Sequence, residues 1–172
     1  MASRPAAHTS SPSLGFAFSH PAHFVALGFG AGLARHAPGT FGTLLAFPLW
    51  WLIGPYYPPQ VQAAIIAGLF VVGVWCCEVT GRDLGAADHG AMCWDETVAF
   101  LLVLMIAPAG WAWQLAAFVL FRAFDIAKPS PIRELEARIK GGLGVMLDDL
   151  VAAGYTLLVL ALAKRAIGWL GG

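Results

Sequence analysis

Residues 42 to 77 read GTLLAFPLWWLIGPYYPPQVQAAIIAGLFVVGVWCC, and no acidic or basic side chain occurs anywhere between His36 and Glu78. The run is too long for one helix and is punctuated by Pro48, Gly54, Pro55, Pro58 and Pro59. Proline and glycine clusters mark turns, so the stretch predicts two helices, about Gly42 to Ile53 and about Val61 to Cys77, joined through GPYYPP. Downstream the pattern repeats. Thr97 to Phe121 is uncharged and broken by Pro108 and Gly110, which predicts a helix pair or one kinked helix. Leu150 to Ala163 is a fourth apolar run, stopped by Lys164 and Arg165. No period-two alternation with hairpin turns, no heptad array and no repeat is visible. The expected fold is all-α: a compact helical, membrane-associated bundle with several short or broken apolar helices.

Composition points the same way. The chain has 172 residues, enough for one domain, of which 59% are hydrophobic and only 12% charged. Soluble domains carry about twice that charged share. A soluble bundle with a very apolar core is the alternative, and a mean hydropathy of +0.72 argues against it. Seven Trp and eleven Phe suit a bilayer and its boundaries. A clean span needs about 20 apolar residues, and several runs fall short of this. Such helices are expected to be re-entrant, to lie behind neighbours or to span by recruiting flanking residues such as Arg82 and Lys164, whose long stems reach toward water.

Several function classes drop out. Formal net charge is zero and no basic stripe with interleaved aromatics occurs, so no nucleic-acid partner is expected. The three cysteines, Cys76, Cys77 and Cys93, have neither disulfide-framework nor zinc spacing. Residues 1–23, rich in Ala, Ser, Pro and His, are expected to be a disordered segment without the h-region of a signal peptide, and residues 24–172 to form the helical domain.

The few acids sit beside apolar helices: Asp88, Asp95, Glu96, Asp125, Asp148 and Asp149. A carboxylate at bilayer depth costs about 2.5–3.5 kcal/mol even on the lenient insertion scale, so such acids are functional candidates. Asp95–Glu96 precedes TVAFLLVLMIA and Asp148–Asp149 precedes LVAAGYTLLVLALA, so each pair is expected to open an apolar helix. Acids at helix starts gain about 0.3–1 kcal/mol from the helix dipole, but one acid per helix would suffice for that. Two doublets brought together would suit a hard divalent cation such as Mg2+. Because adjacent helical residues point about 100° apart, one of each doublet is expected to face a given ion.

FRAFDIAKPSPI, residues 121–132, adds cations. Arg122 and Asp125 share a helical face, and Pro129 is expected to end the helix at Lys128. Arg and Lys are the natural partners of phosphate oxygens, although a purely structural Arg122–Asp125 pair would use the same residues. APGTFGT at 37–43 and KGGLG at 140–144 offer backbone donors from Gly141 and Gly142 and hydroxyls from Thr40 and Thr43. Neither loop has P-loop spacing. Glu78, Asp83 and Asp88, flanking GRDLGAADHG, are expected to be secondary, solvated groups.

APGTFGT, WDE at 94–96, FRAFDIAKPSPI and KGGLGVMLDDLVAAG together resemble the phosphatidylglycerophosphatase A family, in this order and over roughly Phe24 to Leu160. The resemblance implies Mg2+-dependent hydrolysis of phosphatidylglycerophosphate to phosphatidylglycerol and phosphate in the bacterial inner membrane. It implies Asp95, Glu96, Asp148 and Asp149 as metal ligands, and Asp149, Asp95, Glu96, Asp125 and Lys128 as catalytic candidates. Lys128 and Arg122, with Thr40, Thr43, Gly141 and Gly142, would bind phosphate. One departure is Ala99, where many relatives have glycine. Metal-activated water and an aspartyl-phosphate intermediate both remain open as chemistry. The competing function is a non-catalytic membrane protein, a small transporter subunit or lipid-binding scaffold, which would not need so many acids beside Gly-rich and Lys-Pro loops. The basic loop carrying Arg122, Lys128, Arg133, Arg138 and Lys140 is expected on the cytoplasmic side, and the chemistry with it.

Overall fold

The computed structural model describes residues 12–170, and every regular element among them is helical. In chain order these are α1 (Leu14–Ser19), α2 (Pro21–Ala26), a 3-10 segment (Gly28–Leu33), α3 (Pro38–Ile53), α4 (Pro59–Leu84), α5 (Trp94–Ile106), α6 (Trp111–Ala127), α7 (Ile132–Arg138) and α8 (Gly141–Leu170).

Proline and glycine set most of the boundaries. Pro38 and Pro59 occupy first-turn positions of α3 and α4, where a missing N–H costs nothing. Gly85 closes α4 in the left-handed region at φ 71, a conformation open to glycine at no steric cost. The uncharged run from Thr97 is a helix pair, parted at Pro108 to Gly110. Lys128, at φ 41, ends α6 immediately before Pro129, as the Lys-Pro pair predicts.

Three expectations need correction. Residues expected to be disordered include Leu14 to His23, which lie in α1 and α2. Ser13 and His20 accept first-turn backbone amides of these two helices, from Phe16 and Ala22 respectively, and buried His23 binds Asp83 of α4 at 3.0 Å. Residues 1–11 lie outside the described residues. The second correction concerns α4, which runs on through Glu78 to Leu84 because Gly85, rather than the first charge, stops it. The third concerns α8, which begins at Gly141, so Asp148 and Asp149 lie two turns inside it rather than at its entrance. Its glycines serve packing: a Cβ on Gly142 would overlap the Val74 carbonyl, and one on Gly144 the Ile139 carbonyl.

The short α5 is the centre of the bundle and packs on α3, α4, α6 and α8. Val98, Ala99, Phe100, Leu101 and Val103 are essentially inaccessible. Ala99, the departure from the resembled pattern, is simply core. Phe100 meets Phe47 and Phe121 at ring separations of 5.4 Å. At 13 residues α5 extends only about 20 Å and does not span a bilayer.

The outer helices differ. Pro59–Leu84 and Gly141–Gly168 are long and apolar enough to cross a membrane, and less than half of each apolar window is buried. Trp51, Leu52, Val71, Leu158 and Leu162 are all more than half exposed. A water-soluble surface does not present apolar faces on this scale. Trp51, Tyr56 and Trp111, also well exposed, stand near the end of α3 and the start of α6, positions that suit interfacial aromatics. Among the described residues, the cysteines are free and buried.

Candidate active site

At the other end of the bundle five helix termini meet: the starts of α3, α5 and α8 and the ends of α4 and α6. This is where the acids gather. Asp95 and Glu96 enter from the first turn of α5 and Asp149 from α8, and one carboxylate oxygen from each lies within 4.8 Å of the other two. Asp95 and Asp149 are buried, and only 12% of the Glu96 side chain is exposed.

Arg122 of α6 closes one side. Its Nη1 contacts Asp125 directly and lies 3.5 Å from both Glu96 Oε1 and Thr43 Oγ1. The fit is tight enough to require Gly39, because a Cβ there would overlap Glu96 Oε1 and stand 3.0 Å from Arg122 Nη1. Lys128, aimed by the left-handed turn that ends α6, reaches Asp148 Oδ2 and Asp88 Oδ2, each at 3.7 Å.

Electrostatics make this arrangement incomplete on its own. Burial, followed by the charges of Asp88 and Asp125 and offset by hydrogen bonding to Glu96, pushes the Asp95 carboxyl up to about 7. Burial and the charges of Asp95 and Asp149 push Glu96 upward too. Asp95 Oδ1, Glu96 Oε2 and Asp149 Oδ2 are buried without a hydrogen-bond partner, and so is Arg122 Nε. Leaving such groups unpaired is costly. Orphaned acceptors from three mutually repelling carboxylates fit a hard cation bound through oxygen. The orphaned guanidinium donor beside them fits an anion.

The doublets therefore converge, but asymmetrically. Asp149 faces Asp95 and Glu96, while Asp148, about 100° away around the helix, faces Lys128 instead of joining the three-acid group. The expected phosphate donors are largely committed elsewhere. Gly142 N–H donates to Glu78 Oε2 at 2.7 Å, and a Cβ on Gly141 would overlap that same oxygen. These glycines let Glu78 cap the start of α8. The Thr43 hydroxyl donates to Gly39 O, four residues back in its own helix, so it cannot also donate to phosphate. Thr40 is half-buried in the first turn of α3, its amide on Ala37 O.

Sequence reasoning missed Gly39, the capping role of Glu78 and the approach of Asp88. Asp88 and Asp148 line a cavity of about 170 Å³ together with Lys140 and Gly144. The small-residue spacing of APGTFGT hinted at Gly39, and the scarcity of acids at Asp88.

These features define a helical membrane protein with a buried acidic site that could hold a cation. The chain belongs to the phosphatidylglycerophosphatase A family, whose description matches residues 24–164, and is a phosphatase of phospholipid metabolism. It is 42% identical over 135 residues to the phosphatidylglycerophosphatase A of Escherichia coli (strain K12), an alignment covering 78% of each chain. It is 41% identical over 142 residues to that of Haemophilus influenzae, covering 82% of this chain and 87% of the relative. A Bacteroides thetaiotaomicron relative, 36% identical over 151 residues and covering 84% and 94%, carries a provisional phosphatidylinositol-3-phosphatase name. No solved structure matches the chain. Family membership makes it a bacterial membrane enzyme.

Proposed function

We propose that the chain hydrolyses the terminal phosphate monoester of phosphatidylglycerophosphate, releasing phosphatidylglycerol and inorganic phosphate, with Mg2+ held by Asp95, Glu96 and Asp149. The observation that carries this reading is the set of orphaned groups: three buried carboxylate oxygens beside one buried, unused guanidinium N–H. A metal–phosphate pair is complementary to both signs at once. Mg2+, when bound, supplies charge neutralisation at the phosphoryl oxygens and a polarised water.

The chain's own residues do the remainder. Arg122 Nε offers a hydrogen bond to a phosphoryl oxygen, while Asp125 holds the guanidinium by its other face. Asp125 is thus a positioning residue. Lys128 stands between Asp148 and Asp88 as a point charge for the transferred group. Phosphate-monoester hydrolysis is won chiefly by positioning and charge stabilisation, and buried, fixed charges act more strongly than hydrated ones. The site lies at the end carrying Arg82, Lys128, Arg133, Arg138 and Lys140, the end we assign to the cytoplasm of the inner membrane.

The test is phosphate release from phosphatidylglycerophosphate in mixed micelles across a Mg2+ titration, then with chelator. Turnover that survives complete chelation would sink the metal assignment. Absence of turnover at saturating Mg2+ would sink the substrate.

A further inference from the structure

Directly beneath the acidic site lies a second cavity, of about 330 Å³, walled by α4, α5 and α8. Its lining is apolar throughout and includes Ala63, Ala67 and Val71 of α4, Val98 and Leu102 of α5 and Leu150 of α8. On α5, Asp95, Val98 and Leu102 recur at three- and four-residue spacing, so the cavity occupies the face that carries the candidate metal ligand, one to two turns deeper. At about 1.5 Å per residue this places it about 5 to 10 Å below Asp95. On α8, Leu150 directly follows Asp149. The α4 wall is open because Ala63 and Ala67, one turn apart, present only methyl groups, and both are exposed on the outer, lipid-facing side of the helix.

We propose that this groove receives an acyl chain of the lipid phosphate ester, admitted sideways from the bilayer between α4 and α8. The inference rests on the reading of the acidic site as a phospholipid phosphatase centre, and its polarity agrees with that reading. A leaflet lipid holds its phosphate at the membrane surface and its chains toward the midplane. The protein likewise holds its acids at the bundle end and its apolar groove farther in along the same helix faces. Between Ala63 and Val71 the α4 wall extends about 12 Å, enough for much of a chain, while the apolar lining offers a charged headgroup no partner. Substrate capture then draws on apolar contact remote from the reacting phosphate, energy that orients the ester at the acids.

The experiment uses the full chain in lipid bicelles and two substrates, dipalmitoyl phosphatidylglycerophosphate and its deacylated, water-soluble counterpart. Filling the groove in Ala67→Phe, and separately in Ala63→Leu, should lower the ratio of kcat/KM for diacyl over deacylated substrate about tenfold or more, the scale on which apolar pockets discriminate. An unchanged ratio in both variants overturns the proposal. A second measurement needs no variant. A phosphatidylglycerophosphate bearing a diazirine midway along one chain should, on irradiation of the unmodified protein, label peptides holding Ala63–Val71 or Val98–Leu102. Labelling confined to α3 or α6 overturns the groove. If the unmodified protein releases phosphate from neither substrate, it is the proposed function that fails, and the labelled positions still decide where the chain sits.

Discussion

Asp149 lies eight residues beyond the start of α8 (149 minus 141), outside the first turn in which a helix dipole favours a carboxylate. Its burial beside Asp95 and Glu96 therefore lacks a helix-start explanation. Asp149→Asn keeps the shape and one carbonyl oxygen but removes the charge, so phosphate release should fall by several orders of magnitude while thermal unfolding stays nearly unchanged. Each ~1.4 kcal/mol of lost transition-state stabilisation is tenfold in rate. Retention of more than about a tenth of the rate at saturating Mg2+, on that same scale, would return Asp149 to a structural role. Lys128→Gln tests the other sign of charge. Losing the point charge for phosphate should reduce kcat/KM about a hundredfold or more, about 2.7 kcal/mol, with the Mg2+ midpoint little moved, because Lys128 faces Asp148 rather than the three-acid group. A large shift in the midpoint with kcat/KM intact would contradict that division of labour.

Helix by helix, much was legible and some was not. Pro48, Pro58, Pro59, Pro108 and Pro129 announced breaks because proline limits backbone geometry wherever it falls. Only Pro48 is absorbed within a helix. The acids were legible because charge is scarce in so apolar a chain. The start of α8 was not, since GGLG reads as a loop until the neighbouring helix is known. There the glycines admit Val74 and Glu78 at close range, a fact about packing that no local pattern contains. The same holds for Gly39 and Asp88, whose roles depend on which helix ends meet. Gly142→Ala should accordingly cost about 1–3 kcal/mol through overpacking, read as a lowered melting temperature in detergent. Gly154→Ala is the control: an added Cβ there meets nothing within 4 Å, and helix propensity favours alanine. Equal melting temperatures for the two variants would show that the α4–α8 contact is looser than described.

For the molecule as a whole, charge burial ties stability to pH and metal together. The Asp95 carboxyl, at about 7 in the fold against 3.8 unfolded, retains its proton in the folded protein where the unfolded chain has lost it. Its contribution is fully present below the unfolded value and is lost as pH rises to about 7. With chelator, therefore, melting temperature should fall between pH 5 and pH 8, and Mg2+ should restore most of the loss at pH 8, since ligand oxygens must be deprotonated to bind. Tryptophan fluorescence against temperature at both pH values, with and without Mg2+, reads this directly. A chelated protein equally stable at both, or unmoved by Mg2+, would deny that the acids repel one another in the fold.

The meeting of five helix ends also sets a schedule. Asp149 follows Glu96 by 53 positions (149 minus 96), so at ribosomal speeds of about 5–20 residues per second it is synthesised about 3–10 s later. Until α8 docks, α5 holds two acids with no third to share an ion, and the α4 surface at Val74 and Glu78 that receives the α8 glycines stands empty. A nascent chain in that interval can already rest in the bilayer without any means of attacking its lipids. On the proposed assignment, the third acid of the cluster joins the other two only when α8 docks.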